Sequence, residues 1–398
     1  MDEATPKQPA LPGWRKLTAS VTRRAEVFVS GRYWIIEVCF LAVLFSVLFT
    51  GGVDEILYDT RVKYDLGYML KIEHPLTDLS KQFPAARHEA KLNFRLTVPV
   101  ILHCLPVPFR EWWFLPGLTV GAICSLLALC CLFAYRVTLD RVCSLWITLG
   151  VASTYIGTFF ATRCYDAIAL CQLLAAMLPG LHWFARGLLV FTAAFTDERA
   201  FVAAPLLLFA NTSSQPGNLW RRMTQPSSLA VIGGMAGYCL GRLLLAKYAG
   251  LNSPMEGTGL RIFALNAHYW HGGVWFALEG GWLLVILSLL SLRREGQKLE
   301  LMMFACAIAA PILVGFMVLD IVRSTAYALP AVLVALTVLR RSETTARLRS
   351  FCLAAFVLSV VAGDFGAFPN PWYSPPLVVK GLSEAIQTVL GGNVIPPQ

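Results

Sequence analysis

Apolar stretches of membrane-spanning length recur along this chain, each ended by a short charged junction, and that pattern leaves few folds open. Trp34 to Thr50, Trp112 to Tyr135, Val142 to Thr162, Leu229 to Lys247, Val274 to Leu292 and Leu299 to Leu319 are the clearest. About 20 apolar residues in a helix cross the hydrocarbon core of a bilayer. Backbone polar groups in lipid must be satisfied within the segment, so runs of this kind pack as helices. The short alternating strands of a membrane β-barrel are absent. Only 14% of the 398 residues are charged and 57% are hydrophobic, against about 25% charged in soluble domains. The fold class expected is all-α: a polytopic transmembrane helix bundle.

Charge sets the direction. The segment 1–32 carries Lys7, Arg15, Lys16, Arg23, Arg24 and Arg32 and no cleavable signal pattern, so it is placed on the cytoplasmic side. Trp14 to Ser30 reads as an amphipathic helix on that surface. Arg136, Arg221-Arg222, Arg293-Arg294 and Arg340-Arg341 mark the inner ends of later spans. Alternating from there gives about eleven spans, N-terminus in. The bundle occupies 33–364, and a Pro-rich tail, 365–398, lies outside. The formal net charge of +9 is loop asymmetry and implies no nucleic-acid partner. The eleven cysteines sit mostly in apolar runs without metal-type spacing. No P-loop, GxSxG, HExxH or dinucleotide fingerprint occurs.

Acidic residues concentrate on the outer side, where topology does not require them. The longest polar stretch is the outer loop 51–95, opening with Asp54-Glu55 and holding Arg61, His88 and Arg95. Asp54 and Glu55 are the candidate catalytic pair, because a partly buried carboxylate can act as a general base on a hydroxyl. A solvated helix cap is the alternative. Three further junctions carry charge: Arg163 with Asp166, Asp197-Glu198-Arg199, and Asp320 with Arg323. Asp320 and Arg323 are spaced to pair on one helix face. Charge at membrane depth is costly and faces a cavity or another charge. Arg95, Arg199, Arg261 and Arg323 are candidates for gripping a phosphate through the planar guanidinium fork. His88, His268 and His271 could bind a divalent metal with nearby carboxylates, or hydrogen-bond a sugar. Glu37, Arg242 and Glu279 lie within apolar runs and read as relay groups, or as paired and snorkelling side chains.

The arrangement resembles the GT-C superfamily of membrane glycosyltransferases. The resemblance rests on an inner N-terminus, one span and a long outer loop opening with Asp54-Glu55. It includes the Phe-Arg-Leu-Thr-Val-Pro sequence of Phe94 to Pro99, the short paired segments around Asp197 to Arg199, and the junction Asp320-x-x-Arg323-Ser324. It implies transfer of a sugar from a polyprenyl-phosphate donor to a glycan or lipid acceptor at the periplasmic face of a bacterial inner membrane. Asp54 would be the base, with Glu55 as its neighbour, and basic residues would hold the donor phosphate. The chain is short for that superfamily and has no soluble outer domain, which leaves acceptor recognition to loops. A secondary transporter or lipid-linked-sugar flippase is the rival reading, and a surface-polysaccharide polymerase or ligase a third.

Overall fold

The computed structural model describes residues 13–49, 66–85, 89–106, 114–159, 164–213, 219–252, 258–362, 364–366 and 372–374. They form a helical bundle with one small addition, two three-residue strands (β1, Asp364–Gly366; β2, Trp372–Ser374) paired antiparallel. Five helical stretches are long and apolar enough to cross a membrane: Gly117–Thr138, Pro226–Ala249, Lys298–Phe316, Ile321–Ser342 and Thr345–Ala362. A sixth forms if the bent pair Leu260–Leu278 and Gly281–Arg294 counts as one. The sequence counts more crossings because alternating charged junctions assign one to short apolar runs as well as long ones. Trp34–Val47, Arg141–Ala152, Tyr165–Met177 and Trp183–Thr196 are apolar but shorter. A helix of 14 residues is about 21 Å long, less than the roughly 30 Å of hydrocarbon. Trp183–Thr196 stops at Asp197, and Tyr165–Met177 stops at the turn Leu178-Pro179-Gly180.

The chain begins with α1 (Gly13–Phe28), an elbow, and α2 (Trp34–Phe49). The elbow is tied down by Arg141, whose Nη1 donates to the carbonyls of Val29 (3.0 Å) and Ser30 (3.2 Å). A capping segment follows: α3 (Leu66–Glu73), two 3-10 turns and α4 (Thr97–Cys104). It has its own apolar cluster of Tyr68, Ile72, Leu79, Leu92, Val98 and Leu102, closed by Leu115 and Tyr165 of the bundle. Asn93 pins its turns, accepting from the Leu79 N–H at 2.7 Å and donating to Asp78 at 2.6 Å. Buried Lys71 closes the end of α3 by donating to the carbonyls of Pro75 (2.7 Å) and Thr77 (3.1 Å).

The bundle proper is α5 (Phe114–Thr138), α6 (Arg141–Ala152), α7 (Tyr155–Phe159), α8 (Cys164–Met177), α9 (Trp183–Thr196), α10 (Arg199–Ser213), α11 (Leu219–Met223) and α12 (Pro226–Ala249). It continues through α13 (Leu260–Asn266), α14 (Trp270–Leu278), α15 (Gly281–Arg294), α16 (Lys298–Phe316), α17 (Ile321–Thr325), α18 (Leu329–Ser342) and α19 (Thr345–Ala362). Side-chain caps start several of them where the sequence supplies a carboxylate. Asp140 accepts from the Cys143 N–H at 2.8 Å and opens α6.

One end of the bundle is rich in arginine. There Arg222 meets Glu300 (2.7 Å), Arg294 meets Glu343 (3.1 Å), and Arg349 bridges Asp140 and Glu26 (2.8 and 2.5 Å). The run Val274 to Leu292, expected as one returning span, is instead broken at Glu279-Gly280 with a 93° bend. Glu279 holds φ 47° there, and a Cβ on Gly280 would lie 1.8 Å from the Ala355 carbonyl oxygen. Close approach of α19 to this point is what interrupts the helix.

Candidate functional site

At the end opposite the arginine-rich turns, four segments bring charge to one point. Asp166 stands in the first turn of α8, Asp197 and Glu198 between α9 and α10, Arg199 at the start of α10, and Arg323 in α17. Arg95 comes from the capping segment, whose attachment to α9 fixes its place. The Leu96 N–H donates to the Phe195 carbonyl at 2.7 Å, and the Thr97 hydroxyl to the Thr192 carbonyl at 2.7 Å.

Asp166 is the hub. It accepts from Arg323 through Nε (3.1 Å to each oxygen) and Nη2 (2.5 Å), from Arg199 Nη2 (2.8 Å), and from the Tyr327 hydroxyl (3.2 Å). Asp197 is the second node. Arg199 reaches it through Nε (2.7 Å), Nη2 (2.6 Å) and its own backbone N–H (3.0 Å), while Arg95 Nη1 approaches to 3.0 Å. Arg95 also holds Glu198 through two contacts of 3.3 Å. Both aspartates are fully buried, and Arg95, Arg199 and Arg323 nearly so. Glu198 is the open member, with 43% of its side chain exposed.

Three guanidiniums face three carboxylates, so the cluster is close to neutral. Burial on its own would raise the Asp197 carboxyl, but Arg199 and Arg95 hold it far below the usual carboxylate range. Burial would likewise lower Arg95, and Asp197 and Glu198 override it to hold the guanidinium well above its ordinary value. Carboxylates bound this way can orient arginines and helix ends. They are poor proton acceptors, because protonation would leave the charge of the buried arginines uncompensated.

Several expected site residues therefore meet: Arg95, Asp166, Asp197, Glu198, Arg199 and Arg323. Asp320 takes a different role. It caps α17 by accepting from the Arg323 backbone N–H at 3.1 Å, and the guanidinium expected to pair with it is turned to Asp166 instead. Arg261, His268 and His271 do not join the cluster; they are exposed on α13, on the turn that follows it and in the first turn of α14, respectively. No group of three or more metal-binding side chains occurs among the described residues, so the two histidines have no donor set to complete a metal site there. Asp54, Glu55, Arg61, His88 and Arg163 lie outside the described residues.

Sequence reasoning missed Tyr327, which is buried beneath the Arg199 guanidinium at 5.1 Å from ring centroid to Cζ. The available signal was its spacing of one helical turn from Arg323. It also missed Gln172, which accepts from the Thr196 hydroxyl at 2.9 Å and donates to Thr192 at 3.2 Å. Gln172, Thr97 and Ser125 are polar groups in the wall of a largely apolar groove of about 550 Å³ between α4, α5 and α8. That groove runs alongside the charged junction.

No family model, curated protein or solved structure matches the chain.

Proposed function

We propose that the chain is an integral-membrane glycosyltransferase of the GT-C kind. It sits in a bacterial inner membrane with its N-terminus in the cytoplasm, and moves a sugar from a polyprenyl phosphate to a glycan or lipid acceptor on the periplasmic side. The observation that carries this reading is the apolar groove of about 550 Å³ beside the buried arginine–carboxylate cluster. An isoprenoid chain suits a groove walled by Val98, Ile101, Leu105, Leu118 and Ile168. A lipid phosphate at its upper end comes close to Arg95, two residues from Thr97 of the groove wall. Arg95 is the cluster arginine best able to exchange partners, since its contacts to half-exposed Glu198 are the longest there, at 3.3 Å.

In the proposed reaction Asp54, with Glu55 beside it, takes the proton of an acceptor hydroxyl. The hydroxyl oxygen attacks the anomeric carbon from the face opposite the phosphate. The bond from that carbon to the phosphate oxygen breaks, and Arg95 takes up the charge on the leaving phosphate. Asp166 and Asp197 position the arginines and do not move a proton. The test uses radiolabelled polyprenyl-phosphate hexoses and pentoses with the purified chain. Asp54→Asn and Glu55→Gln should each lower transfer by about 10²-fold or more at unchanged melting temperature. Full activity in both variants rules out this base.

The break at Glu279-Gly280 favours a second reading, a transporter or lipid-linked-sugar flippase, because interrupted helices with buried ionisable groups form midplane sites in transporters. Movement of labelled substrate across proteoliposomes without covalent product, lost in Glu279→Gln, would select it. Surface-polysaccharide polymerisation or ligation shares the chemistry of the first reading and differs only in acceptor.

A further inference from the structure

Arg242 stands apart from every other arginine near the charged end. It belongs to α12, the peripheral helix, and its neighbours Leu240 and Leu243 are 58% and 68% exposed. Arg242 itself is half-buried. Its guanidinium lies over the Phe94 ring, 4.3 Å from the centroid, and its Nη1 donates to the Tyr238 hydroxyl at 2.9 Å. Arg95, Arg199 and Arg323 are each matched to carboxylates. Among the described residues no carboxylate pairs with Arg242.

Depth decides what can complete its coordination. α12 has 24 residues, about 36 Å, and Arg242 lies about 10 Å below its C-terminal end. A side chain extended from there reaches the boundary between hydrocarbon and headgroups. A guanidinium carries several N–H donors in one plane, and only one is used on Tyr238, so a fork remains for two oxygens. Phe94 and Tyr238 are both buried and packed with Phe195 and Leu251, so the cation is held in place rather than free to swing into water. The oxygen acceptors abundant at that depth on a lipid-facing helix are phosphates.

We propose that Arg242, with Tyr238 and Phe94, forms a binding site for the phosphodiester of a glycerophospholipid in the surrounding leaflet. Arg242 sits where α12 meets Phe94 of the capping segment, while the groove lies between α4, α5 and α8, on the other side of α9. The phospholipid therefore differs from the proposed donor. Phe94 immediately precedes Arg95, so a phospholipid held here clamps the capping segment at the point where it delivers Arg95 to the cluster. This inference does not rest on the glycosyl-transfer reading, because it is read by lipid retention and not by product.

The experiment is native mass spectrometry of the full chain released from detergent, with dioleoylphosphatidylglycerol, dioleoylglycerol and undecaprenyl phosphate as probes. Wild type is compared with Arg242→Gln, with Arg242→Lys, which keeps the charge but loses the fork, and with Arg261→Gln as a surface control. Arg242→Gln should retain at least about fivefold less dioleoylphosphatidylglycerol, with Arg242→Lys intermediate. Retention of dioleoylglycerol, which lacks phosphate, should be unchanged in all variants, and Arg261→Gln should match wild type. The proposal fails if Arg242→Gln retains the phospholipid like wild type, if dioleoylglycerol is lost in parallel, or if only undecaprenyl phosphate is lost.

Discussion

Asp166 shows how a carboxylate can be legible as important and still be misread in its partners. Its place beside Arg163 in the sequence points to a local pair, yet the described partners come from Arg199, Arg323 and Tyr327, between 33 and 161 positions away. Spacing along a helix identifies who can pair, and the fold decides who does. Asp320 is the complementary case: three residues from Arg323, it bonds the backbone N–H rather than the guanidinium. Asp320→Ala should therefore cost only what a helix cap is worth, about 1 kcal/mol, measured as a small drop in melting temperature with the cluster intact. Lys71 offers a test in the capping segment. Burial lowers its ammonium to about 8, against the pull of Asp78. The folded state thus prefers the neutral amine more than the unfolded chain does, and below pH 8 both states are protonated and the penalty is constant. Stability of the segment should rise between pH 8 and about 10.5. Hydrogen exchange of residues 66–96 should slow over that window in wild type relative to Lys71→Met, and an equal response in the two would show that Lys71 is not buried.

Among the elements, helical periodicity and caps were readable, and the length at which helices stop was not. The apolar run around Arg141–Ala152 gives no sign in composition that it ends short of a full crossing, whereas the segments that flank Asp197 already read as short and paired in the sequence. What ends α9 is Asp197, whose reason for being there is the arginine cluster. What breaks the run after Leu278 is backbone contact with α19, a tertiary event that no single segment records. The two glycine environments make this testable. Gly280→Ala would drive a methyl to 1.8 Å from the Ala355 oxygen and should cost about 3 kcal/mol or more, at the upper end of overpacking penalties. Gly233, on α12, has nothing within 4 Å of an added Cβ, so Gly233→Ala should be neutral or stabilising by up to about 1 kcal/mol. Thermal unfolding of the two variants side by side would expose an error in the α15–α19 approach if they behave alike.

Over the molecule as a whole, the all-helical class, the capping segment and the segregation of an arginine-rich end from a carboxylate-bearing end follow from the order of apolar and charged residues. The gathering of distant junctions into one buried node was inferred from their sharing a side. The identity of each pair needed coordinates, because a guanidinium can reach carboxylates on any neighbouring helix. The groove was not legible, since its wall residues on three helices look like ordinary lipid-facing side chains. Convergence on Asp166 is what the structure and the proposed chemistry both require. The direct test is a double-mutant cycle on Asp166→Asn and Arg323→Gln, read by thermal unfolding of the purified chain. Each single change should cost about 3–5 kcal/mol by leaving a buried charge uncompensated. The double variant should recover about 2 kcal/mol of the summed loss. Losses that simply add would mean that these two side chains, 157 residues apart in sequence, do not meet.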